Sequence, residues 1–157
     1  MDIENLYNHP EHVGIVSGWI YDEFVKGKSN WSLGEITQYF SKTNLISFPI
    51  TLIAISDNEC VGTVSIFEND LKSQNKLKPW LASLYITPNY RGKRIAEKLI
   101  YQVKAIVKEL GYEILYLRTE HAPEYYRRSG WEFFYKTLDE KGQVTEVFRT
   151  NVKANNS

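Results

Sequence analysis

The sequence predicts an α/β (α+β) fold, a mixed and mostly antiparallel sheet flanked by about four helices, and three observations predict it. Two β-branched runs separated by turn-formers occupy the middle of the chain. A nearly continuous apolar run follows, and a long amphipathic helix comes directly after it. Beyond that helix, strand-like stretches surround one short helix almost to the end.

Each element has its own reason. Val13, Val16, Ile20 and Phe24 recur at helical spacing, so residues 9–26 read as a helix with Asn8 as N-cap. A second helix starts at Ser32 and runs to about Ser41. Ser32 and Glu35 form a capping box there, and Trp31 and Ile36 are placed as a hydrophobic staple. Ile50 to Ile55 and Cys60 to Phe67 are rich in branched residues and flank Asp57-Asn58, which predicts a hairpin. Residues 69–78 are polar and read as a loop. Trp80 to Ile86 reads as a strand covered on both faces. Ile95, Leu99, Val103, Ile106 and Leu110 then make an apolar stripe that stops at Gly111. A strand at Glu113–Leu117, a short helix at Ala122–Ser129 and strands at Trp131–Lys136 and Gln143–Arg149 complete the order, with Asp139 to Gly142 as the last turn. Residues 1–152 are expected to form a single domain, and 153–157 a polar tail.

Composition narrows the function. The 157 residues carry 19 basic and 19 acidic side chains, so there is no general attraction to nucleic acid or to an anionic membrane. Any anion site must be built locally. Cys60 is the only cysteine, which excludes an internal disulfide and fits a reducing, cytoplasmic setting. The start of the chain shows no signal-peptide pattern, and no apolar run approaches the length of a membrane span.

The local anion site is the segment from Leu84 to Ala96. A buried strand ends at Pro88, a short basic loop with one glycine follows, and a long helix begins. The first turn of a helix leaves N–H groups without partners, and the aligned peptide dipoles place partial positive charge there. Gly92 permits close backbone approach, and Arg91, Lys93 and Arg94 add full charge. A pyrophosphate satisfies all of these together. The dinucleotide pattern G-x-G-x-x-G and the P-loop pattern G-x-x-x-x-G-K-S/T are both missing. A plain solvated basic loop is the competing reading.

The segment resembles the coenzyme A motif of the GNAT superfamily of N-acetyltransferases. That motif is a strand ending in a hydrophobic-x-Pro step, then Gln/Arg-x-x-Gly-x-Gly/Ala opening a helix. Arg91 matches the first position and Ala96 the last, and Ile86-Thr87-Pro88 matches the strand end. Arg94 stands where the family usually has glycine. A side chain there either crowds the pyrophosphate or gives it another cation. Downstream, Tyr126-Arg127-Arg128-Ser129-Gly130-Trp131 resembles the family's Tyr-x-x-x-Gly-Phe/Trp ending of the fourth helix. Ala122 lies at its usual place, and Thr119 replaces a frequent asparagine.

The resemblance implies an acyltransferase using acetyl-CoA as cosubstrate, with no metal, acting directly on an amine in a ternary complex. It implies that the strand before the loop splays from its neighbour, so that N–H groups of Leu84, Tyr85 and Ile86 bind the pantetheine arm and the thioester carbonyl. It assigns the pyrophosphate to Arg91, Gly92, Lys93, Arg94, Ile95 and Ala96. It gives Tyr126 the departing thiolate, with Tyr125 in reserve. A carboxylate, or water held by one, takes the amine proton. Glu68 at a strand end is the first candidate, and Asp70 and Glu120 are alternatives. A solvated strand-end acid is as good a reading of each. The acceptor is a small-molecule or peptide amine, which Glu23, Glu68, Asp70 and Glu120 would attract. Monomer and homodimer both stay open.

Other residues read as structural. Cys60 beside Val61 is a buried thiol. His9 and His12 share a helix face with no third ligand to complete a metal site, and His121 starts the fourth helix. Trp80 and Ser83 precede the cofactor strand, where Trp80 serves a core as well as a pocket. Two rival functions remain. One is an acyl-CoA-binding or sensing module without turnover, which the Arg94 and Thr119 departures motivate. The other is nucleic-acid binding through Lys93, Arg94, Lys98 and Lys104, which zero net charge opposes.

Overall fold

The computed structural model describes residues 1–153, so the expected tail lies outside the described residues except for Lys153. By their internal contacts these residues group into two units. The first holds Met1–Ile66 and Ser83–Val103, and the second holds Phe67–Ala82 and the chain from Lys104 onward.

The first unit opens with β1 (Asp2–Asn5), which pairs antiparallel with β2 (Ile50–Ser56) through Ile3↔Ala54 and Asn5↔Leu52. β1 has no signature of its own, because Asp-Ile-Glu-Asn carries one apolar side chain and becomes a strand only by pairing. β2 returns as β3 (Glu59–Phe67). Asp57 and Asn58 turn the hairpin with φ of 51° and 66°, a conformation these two side chains tolerate. Both strands are buried along most of their length, and their hydroxyls are paired: Thr51 with Ser65 at 2.8 Å, and Thr63 to the Leu52 carbonyl at 2.8 Å.

The first predicted helix is broken into pieces. Two 3₁₀ turns at Leu6–Asn8 and Pro10–His12 precede α1 (Val13–Ile20), and a π turn at Tyr21–Val25 ends it. Asn8 is not the cap: the Asn5 side chain accepts from Tyr7 N at 2.9 Å, and α1 starts without a side-chain cap. α2 (Leu33–Ser41) has the expected capping box. Glu35 N donates to Ser32 Oγ at 3.1 Å, and Ser32 N donates to Glu35 Oε1 at 2.9 Å. Trp31 packs edge-on to Tyr39.

β4 (Trp80–Ile86) and α3 (Ile95–Glu109) contribute to both units. The apolar stripe of α3 is buried at Ile95, Leu99, Ile100, Val103 and Val107. The helix ends as expected, with Gly111 N donating to Lys108 O at 3.0 Å and Tyr112 N to Val107 O at 3.2 Å.

In the second unit, β4 pairs in parallel with β5 (Ile114–Thr119) at Trp80↔Tyr116. α4 (Pro123–Arg128) follows, then β6 (Glu132–Leu138) and β7 (Val144–Asn151). β7 lies antiparallel to β5 and to β6. The predicted loop at 69–78 contains a 3₁₀ turn at Lys72–Gln74. Trp80 is fully buried in a cluster with Leu71 and Val147, and its indole N–H donates to Leu77 O at 2.6 Å. Trp80 is therefore a core residue. The hydrogen-bonded strand order is β1-β2-β3-β4 in the first unit and β4-β5-β7-β6 in the second. The described residues hold seven strands, antiparallel at β1–β2, β2–β3, β5–β7 and β6–β7 and parallel at β4–β5, with four α-helices, which is the predicted fold class.

Candidate active site

The cofactor segment lies in the first unit. β4 changes character at Ser83, whose φ is 56°. Trp80 to Ala82 are buried, whereas Leu84, Tyr85 and Ile86 are half-buried. A left-handed residue breaks the regular pleat, as a bulge does. Gly62 on β3 lies under the end of this strand. A Cβ there would sit 2.8 Å from Ile86 Cδ1 and 3.3 Å from the Tyr85 carbonyl oxygen. Thr87 is pinned to β3 by both its N (2.9 Å) and its Oγ1 (3.2 Å), each donating to Val61 O.

A 3₁₀ turn at Pro88–Tyr90 leads into the basic loop. Arg91 Nε donates to Ile86 O at 2.9 Å, and the guanidinium carbon lies 5.5 Å from the Tyr85 ring centroid. The other neighbour of Tyr85 is Trp19 of α1, ring to ring at 5.4 Å. Lys93 Nζ lies 5.3 Å from the Tyr90 ring centroid. Gly92 has a φ of 78° and Arg94 a φ of 63°. Arg94 therefore adopts the left-handed backbone that glycine takes freely. The first helical bond of α3 runs from Lys98 N to Arg94 O at 3.2 Å. Ahead of it stand the N–H groups of Ile95, Ala96 and Glu97, outside the intrahelical ladder. Arg91, Gly92, Lys93 and Arg94 are all exposed. The arrangement is one that can hold a phosphate: open donors at a helix start with cations beside them.

The predicted tyrosine and carboxylates lie in the second unit. Tyr126 sits on α4 among Tyr125, Trp131 and Phe148, at ring distances of 5.1, 6.1 and 6.2 Å. Burial, then neighbouring Tyr125, pushes its hydroxyl up to about 12, so it keeps its proton at neutral pH. The Tyr-to-Gly-Trp spacing also has a structural cause. Trp131 N donates back to Tyr126 O at 3.0 Å, Gly130 N to Arg127 O at 3.4 Å, and Gly130 has a φ of 90°. This is a Schellman cap with its hydrophobic contact. At the other end of α4, Thr119 Oγ1 accepts from His121 N (3.4 Å) and Ala122 N (3.1 Å), so the threonine holds the turn where the family often has asparagine.

The three carboxylates differ. Glu68 is exposed just past the end of β3. Asp70 and Glu120 share Arg118. Arg118 Nε lies 3.5 Å from Asp70 Oδ2 and donates to the Asp70 carbonyl at 2.8 Å, while Nη1 lies 3.5 Å from Glu120 Oε1. Thr145 Oγ1 donates to Glu120 Oε2 at 3.3 Å. Burial raises the Asp70 carboxyl to about 7 against the pull of Arg118, with Glu120 and Glu140 adding to the rise. Sequence reasoning missed Trp19, Gly62 and Arg118. The one signal available was Arg118 itself, a cation in an otherwise apolar strand.

Cys60 is buried, and burial pushes its thiol up to about 11, which keeps it protonated at neutral pH. His9 pairs with Glu4 at 3.2 Å and with Glu11 at 3.4 Å. Among the described residues no group of three or more His, Cys, Asp or Glu side chains is arranged for a metal ion, and no helix is long and apolar enough to cross a membrane.

A family model of the acetyltransferase (GNAT) family matches residues 16–131, well over half of the chain. No curated protein matches in sequence. Solved structures similar to this one include an aminoglycoside 6'-N-acetyltransferase complexed with coenzyme A (TM-score 0.75, 15% identity, 97% of each chain covered). A spermidine N-acetyltransferase variant from Vibrio cholerae matches with TM-score 0.73 and 14% identity over 99% of this chain and 98% of that one. A protein from Salmonella typhimurium solved with its cofactor acetyl-CoA matches with TM-score 0.73 and 8% identity over 99% and 96%. These likenesses show a shared fold, and the family model covers both the basic loop at the start of α3 and the capped end of α4. The chain thus belongs to the acetyltransferase (GNAT) family and is an acyltransferase that draws on acetyl-CoA.

Proposed function

We propose that this enzyme is an N-acetyltransferase that passes the acetyl group directly from acetyl-CoA to a primary amine of a small molecule or peptide, in a ternary complex. The observation that carries the reading is the loop at the start of α3, where Arg94 holds a glycine-like φ of 63° and so preserves the coenzyme motif's backbone. The aminoglycoside and spermidine activities named for structural neighbours support a cationic, small-molecule acceptor.

In this reading the loop from Arg91 to Ala96 takes the pyrophosphate through its open N–H groups and the Lys93 and Arg94 cations, and N–H groups of Leu84, Tyr85 and Ile86 meet the pantetheine arm and thioester oxygen. The neutral amine attacks the thioester carbon. The new C–N bond forms as the C–S bond breaks, and the amine's proton passes to a carboxylate. Glu68 is the base indicated by strand position. Asp70 is favoured here over Glu68 and Glu120, because a carboxyl held near 7 has the proton affinity a base needs at neutral pH. Tyr126 stabilises the leaving thiolate by a hydrogen bond. Burial raises that hydroxyl to about 12, so it is protonated at neutral pH and stands ready as a donor. A cytoplasmic location goes with this reading, since the chain carries a single thiol and acetyl-CoA is its donor, and both a monomer and a homodimer are compatible with it.

The test is thiol release from acetyl-CoA over a panel of primary amines, with Tyr126→Phe as control. Turnover on at least one amine, reduced about tenfold or more in the variant, supports the proposal. Coenzyme binding with no turnover on any amine replaces it with the sensing module.

A further inference from the structure

The three cations of the coenzyme loop have different surroundings. Lys93 lies over Tyr90. Arg94 makes no ion pair or ring contact among the described residues. Arg91 alone is committed to the strand that precedes the loop: its Nε donates to Ile86 O at 2.9 Å, and its guanidinium carbon lies 5.5 Å from the Tyr85 centroid. Tyr85 is itself placed by Trp19 at 5.4 Å. Both anchors are well fixed, because the next residue, Thr87, is tied to β3 twice through Val61 O.

We infer that Arg91 is a positioning residue, which fixes the angle at which the loop leaves β4 by bonding the Ile86 carbonyl and resting on Tyr85, rather than a charge that meets the diphosphate. The inference deepens the coenzyme reading and rests on it. A hydrogen bond to a carbonyl needs a planar N–H at a set reach, not a full charge. A glutamine amide donates at similar reach. A lysine ammonium keeps the charge but has neither the planar fork nor the stacking face. If Arg91 served as a phosphate cation, lysine would be the better substitute.

The experiment is calorimetric titration of the full chain with coenzyme A at two salt concentrations, for the wild type, Arg91→Gln, Arg91→Lys and Tyr85→Leu. Thermal melts without coenzyme check folding. The expected result is that Arg91→Gln binds within about threefold of wild type and weakens with salt in parallel to it. Arg91→Lys loses about tenfold, the loss of one net hydrogen bond and a ring contact. Tyr85→Leu, which keeps every loop cation, also weakens binding several-fold. Arg91→Lys binding as well as wild type while Arg91→Gln loses tenfold or more, with a shallower salt dependence, would overturn the positioning role. So would unchanged binding by Tyr85→Leu. Absence of binding by the wild type overturns the coenzyme reading itself and the positioning role with it, and the wild-type titration tells that failure from the others.

Discussion

Arg94 carries the clearest energetic conflict in the molecule, and replacing it with glycine has a signed consequence. Its φ of 63° puts Cβ against the following carbonyl oxygen, which costs a non-glycine residue about 1–2 kcal/mol. It is also the residue whose carbonyl starts α3, so its positive side chain stands at the positive end of the helix dipole. That placement costs about 0.5 kcal/mol more. Glycine removes both terms but returns about 0.5–1 kcal/mol through the freer unfolded chain. The balance is a gain of about 1 kcal/mol, or about 2–4 °C in melting temperature for a chain of this size. The partner variant is Gly92→Ala in the same loop. A Cβ there meets nothing within 4 Å, but a φ of 78° remains, so the backbone alone costs about 1 kcal/mol or more. Thermal melts without coenzyme measure both. With coenzyme A, Arg94→Gly is expected to bind about fivefold more weakly, because a cation beside a phosphate contributes about 1 kcal/mol in a wet site. A lower melting temperature for Arg94→Gly, or a higher one for Gly92→Ala, refutes the backbone argument. Tighter coenzyme binding by Arg94→Gly shows instead that the side chain crowds the site. A strained residue retained at a binding loop is the pattern expected where function opposes stability.

Three further outcomes are expected. Ser32→Ala breaks the capping box of α2 and costs about 1 kcal/mol in denaturant unfolding, with coenzyme affinity unchanged. Gly62→Ala pushes a methyl group to 2.8 Å from Ile86 Cδ1 and 3.3 Å from Tyr85 O, so it lowers stability by about 1–3 kcal/mol and weakens coenzyme binding; calorimetry at equal folded fraction checks the second part. Asp70 has a folded-state value of about 7 against an ordinary value near 4, so its contribution to stability is complete below about pH 4 and is lost as pH rises to about 7. Denaturant unfolding across that window should therefore show wild type losing stability relative to Asp70→Asn, on the order of 1 kcal/mol or more. In the amine assay the same variant should abolish a limb of kcat/KM near pH 7 if Asp70 is the base, and an unchanged limb returns the role to Glu68 or Glu120.

What the sequence determined by itself was local. Capping at Ser32 and Glu35, the Asp57-Asn58 turn, the stripe of α3 and the strand at Trp80–Ile86 depend on residues within a few positions of each other, and their periods and turn chemistry are written in the chain. The basic loop was legible for the same reason: strand end, glycine and helix start are contiguous. Tertiary structure decided the rest. β1 is a strand only because Ile50–Ser56 pairs with it, and residues 9–26 could not stay one helix once Pro10 and a π turn met the packing of the first unit. Whether Arg94 would distort the loop depended on its φ, which no residue name reveals. The ranking of the carboxylates depended on the burial of Asp70, which outweighs the pull of Arg118, 48 positions away in the chain and 3.5 Å away in space. Burial sets the proton affinity of a carboxyl, and burial is made by distant segments meeting, so a single sequence names the candidate acids without ordering them.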